Sequence, residues 1–360
     1  MNVYKTLLIV GNGFDLQCGL KSGYEDFIKW LNQSSAEEKH NLWAEYFLER
    51  YHQRTLEGMD WVNVESCLQE ALENERNGIK HWLSTAFSEV RGSWEGSPFI
   101  NVLRYLKQNY KRDQRNFLVN GTKVKPLDYH WFLEELHKFE RQFSEYLQAV
   151  IENSTDYVPN AIKLMKLLEI DNYVMIINFN YTNPFMKFPC DGNLMQFINV
   201  HGIYKDDSII FGIDDAIMKM PINTHIFTKT YRKMLQGNQE NVLPEGIETI
   251  KFYGHSLGKA DYSYFQSIFD RYNLYDFSSV NLQFFYTIHD KNKKAQIERE
   301  AMDSVYKLIT VYGDTIDNKD KGKNLLHKLL LEGRIIVTFL DNINKKCGTA
   351  NSVVAPLQLS

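Results

Sequence analysis

The stretch that most constrains this chain is Leu7-Leu8-Ile9-Val10-Gly11-Asn12-Gly13-Phe14-Asp15, where four apolar residues run straight into two glycines one residue apart. The apolar run predicts a buried strand. The glycines permit a tight turn that a side chain would block, and the residues through Gly19-Leu20 predict the start of a helix. A strand, a glycine turn and a helix N-terminus together make a place where backbone N–H groups converge on an anion, which points to a phosphate-bearing ligand. Against the dinucleotide fingerprint G-x-G-x-x-G, Gly11 and Gly13 fit, whereas Leu16 stands at the third glycine position and Gly19 comes too late. A tight turn without a ligand is the other reading of the same residues.

The rest of the chain extends this unit. Tyr173 to Asn178, Phe197 to Val200, Ile209 to Gly212, Ile250 to Gly254, Leu282 to Thr287 and Arg334 to Leu340 read as short apolar strands, and Lys294 to Tyr312 reads as a helix. Near-continuous apolar strands separated by helices predict a mostly parallel, doubly wound sheet. Between the first strand and the others lies a helical stretch. There Phe132, Leu136, Phe139, Phe143, Tyr146 and Val150 repeat at alternating four- and three-residue steps, one face of a core-packing helix with Asp128 as its N-cap. Lys107 to Lys125 is basic, carries the turn signal Asn120-Gly121 and reads as a solvated loop. The expected division is a sheet core over 1–23 and 169–345, a helical insertion lobe over 24–168, and a polar, poorly ordered tail over 346–360.

Composition excludes some classes. At 360 residues the chain is long enough for two lobes, and 44% hydrophobic with 24% charged residues is ordinary for a folded globular protein. A formal net charge of −4 gives no support to a broad nucleic-acid surface. No segment is long and apolar enough to span a bilayer, and the N-terminus lacks the features of a signal peptide, so the cytoplasm is the default location. Cys18, Cys67, Cys190 and Cys347 are scattered with no C-x-x-C pair, which predicts buried free thiols and no metal.

Strand after strand ends in a polar cluster: Gly11-Asn12-Gly13-Phe14-Asp15, Asn178-Phe179-Asn180-Tyr181-Thr182-Asn183, His201-Gly202, Gly212-Ile213-Asp214-Asp215 and Gly254-His255-Ser256-Leu257-Gly258-Lys259-Ala260-Asp261. In an open parallel sheet ligands bind outside the carboxyl ends of the strands, so these clusters predict one crevice. Asp15 would accept a ribose hydroxyl, and the glycine-loop amides would hold a diphosphate. Asp214 and Asp215 read as turn residues. Gly254-His255-Ser256-Leu257-Gly258 also matches the G-x-S-x-G elbow of serine hydrolases, with Asp276 or Asp290 and His289 or His327 as downstream partners. Lys259 stands where such an elbow needs a small residue. A metal nuclease on Asp15, Glu65 and Asp214 lacks tight carboxylate spacing.

Taken in order, Gly11-Asn12-Gly13-Phe14-Asp15, Asn178-Phe179-Asn180-Tyr181-Thr182, Asn199-Val200-His201-Gly202, Phe211-Gly212-Ile213-Asp214 and Tyr253-Gly254-His255-Ser256-Leu257-Gly258 resemble the AbiH family of bacterial phage-abortive-infection proteins, as do Trp61 and Glu65. The layout is more distantly similar to sirtuin-like defence domains, which bind and cleave NAD. That resemblance implies a Rossmann-like α/β core with a large helical insertion after the first strand. It also implies catalytic roles for Asn180 and His201. Gly11, Asn12, Gly13, Phe14, Asp15, Tyr181, Gly254, His255, Ser256 and Asp261 would then contact the nucleotide. The four-cysteine zinc module of sirtuin deacetylases is missing. Chemically, cleaving the nicotinamide–ribose bond releases a neutral pyridine. A site for it orients the ribose, places a water and withdraws a proton, work suited to an Asn amide and a His. The expected function is therefore antiphage NAD hydrolysis, with NAD as substrate and without metal. The alternatives are a nucleotide sensor or partner-binding module without turnover, or the serine hydrolase. A homo-oligomer or a defence partner, and a phage-derived trigger, belong to the same expectation.

Overall fold

The computed structural model describes residues 4–34, 41–57, 64–65, 67–68, 111–113, 116–119, 122–124, 129–170, 173–186, 194–214, 225–237, 242–276 and 279–340. The chain divides into two compact units. The first comprises Met1–Lys21, Ile151–Val200 and Glu240–Ser360, and the second Ser22–Val150 and His201–Gln239. Composition drew one boundary at each end of a continuous insertion over 24–168. In the structure Tyr157–Leu167 belongs with the sheet, and residues 201–239 belong with the helical unit.

The first unit is built on a parallel sheet of β1 (Thr6–Val10), β5 (Tyr173–Asn178), β6 (Leu194–Asn199), β7 (Thr249–Tyr253), β8 (Asn281–Thr287) and β9 (Ile335–Leu340), in the spatial order β6-β5-β1-β7-β8-β9. Counted along the chain, that is the order 3-2-1-4-5-6 of doubly wound nucleotide-binding sheets. The sequence reading of these strands holds. All five β1 residues are buried, because the strand is central and covered on both faces. Leu7, Ile9, Met175, Ile177, Ile250, Phe252, Leu282 and Phe284 form a core with Phe265 and Phe269 of α7 (Tyr262–Arg271), Leu308 and Tyr312 of α8 (Lys294–Thr315), and Leu325 and Leu329 of α9 (Lys319–Leu331). The register is flush: Val10 lies opposite Asn178 and Tyr253, and Asn178 opposite Asn199, so these four strands release their loops at one level. Two helices complete the unit's description, the short α1 (Asn12–Gln17) and α5 (Tyr157–Leu167).

The second unit holds α2 (Tyr24–Gln33), α3 (Leu42–Glu57), most of α4 (Tyr129–Glu152) and α6 (Lys229–Leu235). The stripe on α4 is core packing, as its spacing predicts. Phe139 and Phe143 lie 5.7 and 5.3 Å from Phe211 between ring centres, and Phe143 lies 4.9 Å from Phe27. Asp128, Trp61 and Asp215 lie outside the described residues, as do the side chain of Phe132, Cys190, Cys347 and the tail from 341.

Two local readings need correction. Ile209–Gly212 is not a strand: Ile209, Ile210 and Phe211 are buried, but Phe211 spends its N–H and C=O on side chains, and an isolated bridge at Ile213 is its nearest strand-like feature. An apolar run reports burial, and here burial comes without a ladder. Within Lys107–Lys125, read as a loop, the structure has an antiparallel sheet of β2 (Lys111–Asp113), β3 (Asn116–Val119) and β4 (Thr122–Val124). Strands β3 and β4 flank Asn120-Gly121, the residue pair that favours a two-residue hairpin turn.

Candidate functional site

The switch point of the first unit lies between β1 and β7, where the strand order reverses and open α/β sheets bind ligands. The loops leaving these strands are pressed together. A Cβ on Gly13 would sit 2.7 Å from the Cα of Gly254, and one on Gly254 would sit 2.4 Å from the Phe14 nitrogen. Gly254 also has φ +67°, which a side chain would strain. The amides at this turn are engaged within the protein. Gly11 N–H donates to Tyr253 O (3.1 Å), Gly13 N–H to Gly254 O (2.8 Å) and Phe14 N–H to Gly11 O (2.9 Å). The glycines thus serve the close approach of two backbones, on which the Gly11 and Gly13 amides are spent, while the Phe14 amide closes the turn itself.

Asp15, expected to face a ribose, is 1% exposed. Its Oδ1 accepts from the Tyr157 hydroxyl at 2.7 Å and its Oδ2 from the Thr182 hydroxyl at 2.6 Å, with Tyr157 and Thr182 oxygens 3.1 Å apart. Burial, with the Asp15 charge second, drives the Tyr157 hydroxyl well above its ordinary value and keeps it a donor. The same two causes push the Cys18 thiol up. Tyr157 and Thr182 were missed from sequence. Tyr157 carries no motif signal. Thr182 sat inside a quoted motif, but its partner is 167 residues away in sequence.

Asparagines fix the β5 loop. Asn178 Nδ2 donates to Thr182 O (2.7 Å), and Asn178 Oδ1 accepts from Asn180 N–H (3.0 Å). Asn199 Nδ2 donates to the carbonyls of Asn180 and Thr182, both at 2.8 Å. Asn180 Nδ2 donates to Gly11 O at 3.0 Å, tying the β5 loop to the β1 loop. That bond sets the amide's orientation. Its Oδ1 receives no donor from the described residues, although Asn180 is 5% exposed.

On the β7 loop, His255 Nδ1 accepts from Leu257 N–H at 2.9 Å, which leaves the proton on Nε2, 3.4 Å from Asp261 Oδ2. The ring is wedged edge-on against Phe179 (4.7 Å) and Phe265 (5.0 Å). His255 and Asp261 therefore brace the loop. Ser256 is exposed and, among the described residues, has no hydrogen-bond partner and no base beside it, and the positive φ falls on Leu257 instead. Lys321 occupies Asp276, and Asp290 caps the turn at Asn292. The elbow geometry of a serine hydrolase is not present among the described residues.

Gly11, Asn12, Gly13, Phe14, Asp15, Asn180, Tyr181, Gly254, His255, Ser256 and Asp261 thus all lie on the connections that leave the carboxyl ends of β1, β5 and β7 in the first unit, Asn12 to Asp15 within α1. His201 belongs to the second unit. It is 3% exposed, and its Nε2 is 3.4 Å from the Lys229 ammonium, which can only donate. Lys229 is itself buried and pairs with Glu65 Oε1 at 2.9 Å. Gly202 follows with φ +87°, packed so tightly on Ser208 that a Cβ would sit 1.9 Å from its carbonyl oxygen. Asp214 is buried in the same unit. Among the described residues no three His, Cys, Asp or Glu side chains gather as for a metal, and no helix is long and apolar enough to cross a membrane.

The sheet order and its loop-lined switch point define a doubly wound α/β protein. The family model described as bacteriophage abortive infection AbiH matches residues 7–286, and the chain belongs to that family. Neither the curated proteins nor the solved structures contain a match.

Proposed function

We propose that this abortive-infection protein binds a nucleotide at the carboxyl edge of its six-stranded sheet, and that the nucleotide is NAD, hydrolysed at the nicotinamide–ribose bond. The observation that carries the reading is the Asn180 amide. Its nitrogen is pinned by Gly11 O, which sets the orientation of the amide, and its oxygen, which receives no donor from the described residues, remains accessible. An accessible amide oxygen held in one orientation is placed to accept from a ligand hydroxyl or an attacking water. In this reading Asn180 Oδ1 holds the ribose or the water, and side chains of the loops meet the nucleotide, because the Gly11, Gly13 and Phe14 amides are already engaged. Water adds to the ribose carbon, nicotinamide leaves with the bonding electron pair, and a proton is released. Membership of the AbiH family supports the setting of this chemistry in phage defence.

Binding without turnover is the second reading. It is favoured by His201, whose Nε2 lone pair faces the Lys229 ammonium and so is poorly placed to accept a substrate proton. One experiment separates the two. Purified protein is incubated with NAD, with and without lysate of phage-infected cells, while nicotinamide release and the shift in melting temperature are followed. Release that falls about a hundredfold or more in Asn180→Ala supports hydrolysis. A thermal shift without release establishes the binding reading. Neither shift nor release under either condition overturns both. A His201→Ala variant that turns over NAD normally would show that His201 is not part of the chemistry.

A further inference from the structure

We propose that strand β9 is a dimerisation edge, and that its partner is β9 of a second copy of this chain, paired antiparallel about a twofold axis through Val337. Among the described residues β9 pairs with β8 alone, in parallel register from Leu282 opposite Ile335 to Thr287 opposite Leu340. Its outer edge is the sequence Ile335-Ile336-Val337-Thr338-Phe339-Leu340, six residues without a charge, a proline or a glycine. Soluble proteins blunt such edges with charges, prolines or bulges, or else cover them, since a row of open N–H and C=O groups on apolar residues templates further pairing. Ile336 and Phe339 are each 40% exposed, on opposite faces of the strand, and Leu330 and Leu331 just before it are exposed too.

The register says which backbone groups are open. Leu282 N–H donates to Arg334 O, so Arg334 and the alternate residues after it (Ile336, Thr338, Leu340) turn their polar groups toward β8. Ile335, Val337 and Phe339 therefore present N–H and C=O outward. These three are self-complementary under a twofold axis. Val337 faces Val337 of the other copy, and Ile335 faces Phe339 in both directions, giving three hydrogen-bonded pairs of two bonds each. The same pairing puts Ile335 beside Phe339 on one face, an aromatic–aliphatic cross-strand pair, and Ile336 beside Thr338 on the other. No charge opposes a like charge anywhere along the strand, which suits an identical partner.

Sedimentation of the full chain at tens of micromolar should give a dimer. Hydrogen exchange adds a signature specific to this edge. The amides of Ile336, Thr338 and Leu340 should stay protected at every concentration, while those of Ile335, Val337 and Phe339 should lose protection on dilution. Val337→Pro removes an outward N–H without touching the β8 ladder and should raise the dissociation constant at least about tenfold. Phe339→Lys, at an exposed position, should do the same if the proline variant fails to fold. A wild-type monomer throughout this range overturns the proposal. So does a dimer that survives both substitutions, or protection of the odd-numbered amides that ignores dilution and so comes from within one chain.

Discussion

Replacing Asp15 by Asn would set an amide where two hydroxyls now deliver protons. Tyr157 and Thr182 each donate to one oxygen of a carboxylate that is sealed from solvent. An Asn nitrogen would face one of those donors, and the charge that strengthens both bonds would be gone. Asp15→Asn should cost about 2–4 kcal/mol in urea unfolding, and Thr182→Val about 1–2 kcal/mol, because hydrogen bonds to charged groups are worth about 1.5–3 kcal/mol. Cys18 reports on the same spot. Its thiol is pushed up by burial first and by Asp15 second, from an ordinary value of 9.0. Native protein should resist alkylation at Cys18 near pH 8 and react on unfolding. The sign for stability follows. Below pH 9 both folded and unfolded thiols hold their proton. Above it only the unfolded thiol releases it, so stability falls by about 1.4 kcal/mol per pH unit. In Cys18→Ala the fall between pH 9 and 10 should flatten. At this scale sequence located the loops at the strand ends but not what their side chains touch. Asp15 and His255 were placed against a ligand by motif, yet their partners are Tyr157, Thr182 and Asp261, brought in by packing that no spacing encodes.

At the scale of elements, the strands were the legible part. Tyr173–Asn178 was read with its true bounds, β1 was located by the unbroken apolar run Leu7–Val10, and β7, β8 and β9 by largely apolar runs interrupted at Lys251, Gln283 and Thr338. A strand buried on both faces leaves that signature, whereas Ile209–Gly212 leaves it while folding as a buried loop. The glycines were also legible, though their reason was not. A glycine that admits a phosphate and a glycine that admits another backbone look alike until the second backbone is seen, and at Gly13 that backbone is Gly254. Gly254→Ala tests the second cause. It forces a Cβ to 2.4 Å from the Phe14 nitrogen at φ +67°. The strain of a left-handed alanine and the overpacking each cost about 1–3 kcal/mol. A chemical denaturation midpoint within error of wild type would show that the two loops part at no cost and that their contact is incidental.

At the scale of the molecule, both units are assembled from pieces distant in sequence, whereas composition marks a single continuous insertion. The second unit joins Ser22–Val150 to His201–Gln239. One of its ties is the buried pair between Glu140 of α4 and Arg232 of α6. The guanidinium grips both carboxylate oxygens, at 2.5 and 2.7 Å, and Arg232 also donates to Phe211 O at 2.8 Å. Burial raises the Glu140 carboxyl above its ordinary value even against the pull of Arg232, so the carboxylate depends on that partner. Removing one member of such a pair strands a buried charge, whereas removing both does not. Arg232→Met should therefore destabilise this unit by about 3–5 kcal/mol, and Arg232→Met with Glu140→Leu should recover most of the loss. The readout is built into the chain. All six tryptophans (Trp30, Trp43, Trp61, Trp82, Trp94 and Trp131) fall within residues 22–150, so indole fluorescence follows the second unit and circular dichroism follows both. Arg232→Met should move the fluorescence transition to lower urea. If the double variant proves as unstable as Arg232→Met alone, the pair is not what joins the two segments. The weight would then rest on the aromatic contacts of Phe211 with Phe139 and Phe143.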